Sequence, residues 1–334
     1  MEDGRATGTA PPVRNGGIVF SRLLQLGRAV RYVWLVLGIT VLLFAIIETV
    51  LSTGFEIYDR HTTKPDPRVA ADAHGNAPWV NSYYQEFLTS RDDVRWMPYV
   101  YWRRTPRQGP YINIDDRGIR ATTPGSPTGL KIYMFGGSTM WGTGARDDYT
   151  IPSMLSKELQ RKGVAASITN FGESGWVSFQ SHVALQLELR EGRRPDLVIF
   201  YDGVNDTFAG FQQGVAGRPH NESNRVAEFN FLRKPLQQRL AMAAADIARR
   251  LSARRFVRLL TSPANEVNLT IELEKAAPGA RSDPAAKERL ARQVIDAYAS
   301  TVELVQALGD RYQFKSLFYW QPTVSHKPEV TPFE

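Results

Sequence analysis

Apolar residues fall along this chain in runs of two kinds. The longest occupies residues 32–51 and holds one charged side chain, Glu48. About twenty such residues span a hydrocarbon core as a helix. Shorter apolar runs occupy residues 131–135, 166–171, 196–201 and 313–320. Each ends in Gly, Asn, Asp or Pro, which predicts buried strands followed by tight turns. Helical periodicity covers residues 150–162, 179–191 and 284–308, and a basic stretch over 235–260 predicts one more long helix. Strands alternating with helices predict an α/β domain built on a parallel sheet, with ligands at the carboxyl ends of its strands.

Between the long apolar run and the first strand the pattern is mixed. Trp79, Tyr83, Tyr84, Phe87, Trp96, Tyr99, Tyr101 and Trp102 form an aromatic-rich patch, and packing on the main domain is its expected fate. Residues 111–120 alternate and turn at Gly118, a hairpin-like element. Residues 1–19 are rich in Gly, Ala, Pro and Thr and read as a disordered tail; Lys64-Pro65-Asp66-Pro67 reads as a linker. The organisation predicted is a cytoplasmic tail (1–31), a transmembrane helix (32–52), a juxtamembrane aromatic-rich segment (53–129) and a main domain (130–334) with an insertion at 208–285.

Charge orients the apolar run. Arg5, Arg14, Arg22, Arg28 and Arg31 precede it, whereas Glu48, Glu56 and Asp59 stand at its far end. The positive-inside rule therefore predicts a single-pass inner-membrane protein with its N-terminus in the cytoplasm and its main domain outside. A cleaved signal peptide is the rival reading, but the run is long for one and no Ala-x-Ala site follows. The chain of 334 residues has a net charge of +7, yet its arginines are scattered and no nucleic-acid module is present. There is no cysteine, which excludes disulfides and thiolate metal sites.

Candidate chemistry sits at the strand ends. The first strand delivers Gly136, Gly137 and Ser138, a layout that lifts a hydroxyl above the sheet edge; an ordinary helix-capping serine is the plainer reading. The second delivers Gly172 and Gly175, and the third Asn205. A nucleophile, a backbone N–H and a side-chain amide are the parts that bind a tetrahedral oxyanion.

These blocks resemble the SGNH, or GDSL-like, hydrolases. Phe135-Gly136-Gly137-Ser138 resembles the first family block, with Gly137 where Asp is usual. Asn170-Phe171-Gly172-Glu173-Ser174-Gly175 resembles the second, and Gly203-Val204-Asn205-Asp206 matches the Gly-x-Asn-Asp block. The segment 111–120 is similar to one that precedes the first block in envelope-associated members. The resemblance implies a three-layer, flavodoxin-like parallel sheet, here preceded by one transmembrane helix. It implies Ser138 as nucleophile, with the Gly175 N–H and the Asn205 amide holding the oxyanion, and it calls for no cofactor or metal. The implied substrate is an acyl or acetyl ester, of an envelope glycan or lipid. Acyl transfer to a sugar hydroxyl, or a non-catalytic binding module, are the alternatives on the same fold. The family's Asp-x-x-His block is missing: no Asp here is followed by His three residues later. The chain ends about a dozen residues after the fourth strand, so a fragment of a longer protein is expected. His326 lies on the correct edge, while His61, His74, His182 and His220 are placed elsewhere by the pattern.

Overall fold

The computed structural model describes residues 16–62, 77–91, 93–261 and 283–323. The linker at 64–67, His74, His326 and the first fifteen residues lie outside this set. In chain order the elements are α1 (Gly16–Thr62), α2 (Val80–Arg91), β1 (Val94–Met97), β2 (Tyr101–Arg104), β3 (Leu130–Gly136), α3 (Ser138–Trp141), α4 (Ile151–Arg161), β4 (Ala166–Asn170), α5 (Ser178–Arg190), β5 (Leu197–Asp202), α6 (Val204–Gln213), α7 (Glu222–Phe231), α8 (Leu236–Arg250), α9 (Ser252–Thr261), α10 (Pro284–Tyr312) and β6 (Lys315–Trp320). They divide into two compact units: residues 1–63 with 235–265, and residues 64–234 with 266–334.

In the first unit, α1 extends the predicted span in both directions, because adding a turn to an existing helix is far easier than nucleating one. Residues Gln25–Asp59 are long and apolar enough to cross a membrane. Val33 and Trp34 are 63% and 69% exposed, which water would penalise and lipid would not. The hydroxyls of Thr40 and Thr49 donate to the carbonyls four residues back, each at 2.8 Å, so neither is left open on the apolar surface. The single helix expected over 235–260 is two helices, α8 and α9, broken at Leu251, which is extended. Glu48 explains where the second begins: its carboxylate accepts from the backbone N–H groups of Ser252 and Ala253 and so caps α9. Arg255 then grips Asp59 in a bidentate pair at 2.7 and 2.8 Å and covers the Phe55 ring.

The second unit is built on a four-stranded parallel sheet in the order β4-β3-β5-β6. Counting these four strands alone, the order is 2-1-3-4, the flavodoxin-like arrangement, and its switch point lies beside the end of β3. The strands alternate between two buried faces. Tyr133, Phe135, Val198 and Phe200 pack with Leu185, Leu189 and Val305 of α5 and α10. Ile132, Met134, Ile168 and Ile199 pack with Leu155 and Leu159 of α4. Across the first face the rings of Phe171, Phe135, Phe200 and Phe318 stack at 4.9, 5.0 and 5.2 Å, a ladder that registers all four strands.

Most of the aromatic patch is absorbed by this unit, whereas Trp96 and Tyr99 are exposed. Tyr83, Tyr84 and Phe87 of α2 pack with Ile112, Ile114 and Trp141, so α2 rests on the residues that follow Ser138. Strands β1 and β2 form an antiparallel hairpin. The segment 111–120 pairs only through isolated bridges, and Gly118 makes its turn at φ +80°.

Candidate active site

Ser138 opens α3 directly beyond the buried run of β3, and is half-buried. Among the described residues its hydroxyl has no hydrogen-bond partner. The loop that carries it is held from outside the sheet. Arg120, itself buried, donates to the carbonyls of Trp141, Gly142 and Ala145 and to Asp147, at 2.7–3.1 Å. Asp147 also accepts from the backbone and side chain of Asn113. The segment 111–120 is therefore a clamp on the serine loop.

The second loop leaves β4 and returns to the first: Glu173 N–H donates to the Gly136 carbonyl at 2.9 Å. Gly175, two residues on, has φ +76°, a conformation in which its amide turns where an L-residue would be strained. The third loop brings Asn205, whose amide nitrogen donates to the Trp176 carbonyl at 2.8 Å. That same nitrogen would lie 2.3 Å from a Cβ on residue 137, so any side chain there would require the Asn205 amide to shift. Asn205 thus touches the residue before Ser138 and is bonded to the residue after Gly175. An amide nitrogen carries two N–H groups, so one remains for a ligand oxygen.

Asp206 locks this arrangement, a role its place in the Gly-x-Asn-Asp block did not disclose. Its carboxylate accepts from Ser178 N–H at 3.1 Å, Ser178 Oγ at 2.5 Å and Gly203 N–H at 3.2 Å, joining the second and third loops. Burial raises its pKa, and these donors oppose the rise. Asp202, at the end of β5, is raised well above the ordinary range by burial and by Asp206, and its Oδ2 has no partner. The buried Tyr298 hydroxyl likewise has none, and burial raises its pKa. From β6, Gln321 donates to Thr139 Oγ1 at 2.7 Å, tying the fourth strand end to the serine loop.

The β1–β2 hairpin grips the second loop. Trp102 Nε1 donates to the Ser174 carbonyl at 3.0 Å, and Trp176 Nε1 donates to the Trp102 carbonyl at 3.2 Å. Glu173, fully buried, accepts from the backbone N–H groups of Arg104 and Ser174 at 3.0 and 2.8 Å. Burial pushes its pKa up, against the pull of Arg103 and Arg104, while burial lowers Arg103 to about 10. None of these contacts was visible as a motif; the aromatic density over 79–102 was the available signal.

Of the described histidines, His182 is buried in α5 against Gln186 and Phe179, and burial lowers its pKa. His61 sits on α1 and contacts the Ile57 carbonyl. His220, which the sequence pattern assigned only to the insertion, has its ring beside Gly175, 3.9 Å from the position of a Cβ there. Burial, then Arg225, lowers its pKa below the ordinary value. Among the described residues no group of His, Asp and Glu is placed to hold a metal ion.

A family model described as the GDSL-like lipase/acylhydrolase family matches residues 134–314, more than half of the chain. No curated protein matches. Among solved structures, AlinE4, an SGNH-hydrolase family esterase, is 19% identical over 56% of this chain and 75% of its own, with a TM-score of 0.27. TesA is 16% identical over 56% and 76%, with a TM-score of 0.25. A variant of Axe2, an acetyl xylan esterase from Geobacillus stearothermophilus, is 14% identical over 54% and 76%, with a TM-score of 0.22. The matched residues begin within β3, two residues before the glycine pair, and run through the loops of Gly175 and Asn205 to the end of α10. This chain belongs to the SGNH, or GDSL-like, lipase/acylhydrolase family.

Proposed function

We propose that the chain is a membrane-anchored serine esterase that cleaves acyl or acetyl esters of envelope glycans or lipids. In this reading α1 is the anchor, with the arginine-rich end in the cytoplasm and the main domain (130–334, insertion 208–285) outside. Ser138 Oγ bonds to the ester carbonyl carbon, and the carbonyl electron pair moves onto oxygen. The N–H groups of Ser138 and Gly175 and the amide of Asn205 hold that oxyanion. Its collapse expels the alcohol, which takes up the proton lost by the serine. Water then attacks the acyl-enzyme by the same steps and releases the acid. A general base must carry the proton, and the reading places it after β6, where the family has its Asp-x-x-His block.

The observation that supports this reading is the position of the Asn205 amide, against Gly137 on one side and bonded to Trp176 on the other. Fluorophosphonate labelling of the full-length protein in detergent tests it. Labelling is expected at Ser138 and lost in Ser138→Ala; labelling that survives the substitution removes the nucleophile assignment. With the base after β6, His220→Ala should slow labelling by less than about threefold. A loss of about 10²–10⁴-fold would make His220 the base. Product analysis with a sugar acceptor present separates hydrolysis from transfer.

A further inference from the structure

Beside the loop of Gly175 is a groove of about 380 Å³ whose lining includes Trp96, Tyr101, Trp102, Arg95, Glu173 and Arg225. Its aromatic wall is continuous: Trp96 stacks on Tyr101 at 5.3 Å, and Tyr101 on Trp102 at 6.5 Å. Trp96 is 64% exposed, a large ring presented to solvent. Its charged lining is unbalanced. Glu173 is engaged with Arg104 at 3.5 Å. Arg95 and Arg225 have no carboxylate partner among the described residues; Arg95 donates through one terminal nitrogen to the Asp116 carbonyl, and its buried Nε has no hydrogen-bond partner among the described residues. Arg225 lies over Tyr101 and Trp102, 5.2 and 4.8 Å from the ring centres, and donates to the His220 carbonyl at 2.5 Å. Glu222 accepts from the Tyr101 hydroxyl at 3.0 Å.

Flat rings bind the C–H faces of a sugar, because those faces are apolar and stiff aromatic side chains lose little entropy on contact. Guanidinium groups at the same surface recognise carboxylate or phosphate through paired N–H donors. We propose that this groove binds a sugar ring carrying an anionic substituent, as the glycan part of the substrate. The groove reaches the reaction centre: Glu173 and Ser174 line it, and the Trp102 ring lies 3.5 Å from the position of a Cβ on Gly175. A glycan seated on Trp96 and Tyr101 is thereby held next to the oxyanion loop. Only the statement that this glycan bears the scissile ester rests on the esterase reading.

Binding is measured by calorimetry on the full chain carrying Ser138→Ala, so turnover cannot intrude. The titrants are an oligogalacturonate, a neutral xylo-oligosaccharide of equal length, and a sugar-phosphate oligomer. One anionic oligomer should bind about tenfold or more tightly than the neutral one, as a charged hydrogen bond provides, and whichever does so identifies the anion. Added salt should weaken it. Trp96→Ala and Arg225→Gln should each weaken it about tenfold, and Trp96 is exposed enough that its loss leaves the fold intact. Equal binding of neutral and anionic oligomers, no saturation by about 10 mM, or indifference to both substitutions overturns the groove. Failed fluorophosphonate labelling with binding intact would instead sink the esterase reading and leave the groove standing.

Discussion

At the scale of single residues, Asn205 does two things with one amide. One N–H fixes the Trp176 carbonyl, and the other is open to a ligand. Asn205→Ala removes both, so it is expected to lower kcat for an aryl acetate by about 10²–10³-fold, the usual loss for one oxyanion donor. A change in KM alone would show that Asn205 only orders the loop. Gly137 belongs to the same contact: the family's usual Asp, placed there, would require the Asn205 amide to move, because its nitrogen lies 2.3 Å from the position of a Cβ.

At the scale of elements, the loops that carry Ser138, Gly175 and Asn205 are pinned by groups outside the strands that deliver them. Arg120 pins the first, the β1–β2 hairpin the second, and Asp206 joins the second to the third. Interior side chains with fixed partners of this kind keep a site in one geometry before the ligand arrives. The same logic operates in the first unit, where the Glu48 carboxylate stands in for the missing acceptors at the start of α9. Glu48→Leu should therefore fray α9. Hydrogen exchange in detergent micelles should show the Ser252 and Ala253 amides exchanging about threefold or more faster, with the amides of α10 unaffected. Unchanged exchange at those two amides would mean that Glu48 does not cap the helix.

At the scale of the whole molecule, Asp202 links stability to pH. Burial and Asp206 hold its carboxyl well above the ordinary range, so the folded state keeps a proton that the unfolded state has released. A raised acid contributes stability below the unfolded pKa and loses it as pH rises through the folded value. Asp202→Asn removes the charge that must be neutralised. Its melting temperature should exceed that of the parent by about 2–4 °C at pH 8, the shift that about 1 kcal/mol makes in a domain of this size, and the gain should vanish near pH 4. A gain of equal size at both pH values would show that the carboxyl is not the source.

The chain by itself determined the strands, the long apolar helix and the candidate chemistry, because each is written locally. Residues 132–135 are apolar on both faces, so they belong in a buried parallel strand; Gly136 and Gly137 then break it and Ser138 follows. Residues 32–47 carry no charge on any face, so no water-facing side remains. What only the tertiary structure decided depends on residues far apart in sequence. The order β4-β3-β5-β6 comes from which faces pack across strands, as in the Phe171, Phe135, Phe200 and Phe318 ladder, and no periodicity encodes it. The break at Leu251 is silent in the helical pattern of 235–260, because Glu48, some 200 residues earlier, supplies the cap that begins α9. Trp102, Arg104 and Arg120 look like ordinary aromatic and basic residues in the sequence. They become parts of the site because buried carbonyls and carboxylates must find donors, and in the folded chain the Trp102 indole, the Arg104 backbone N–H and the Arg120 guanidinium are the donors within reach.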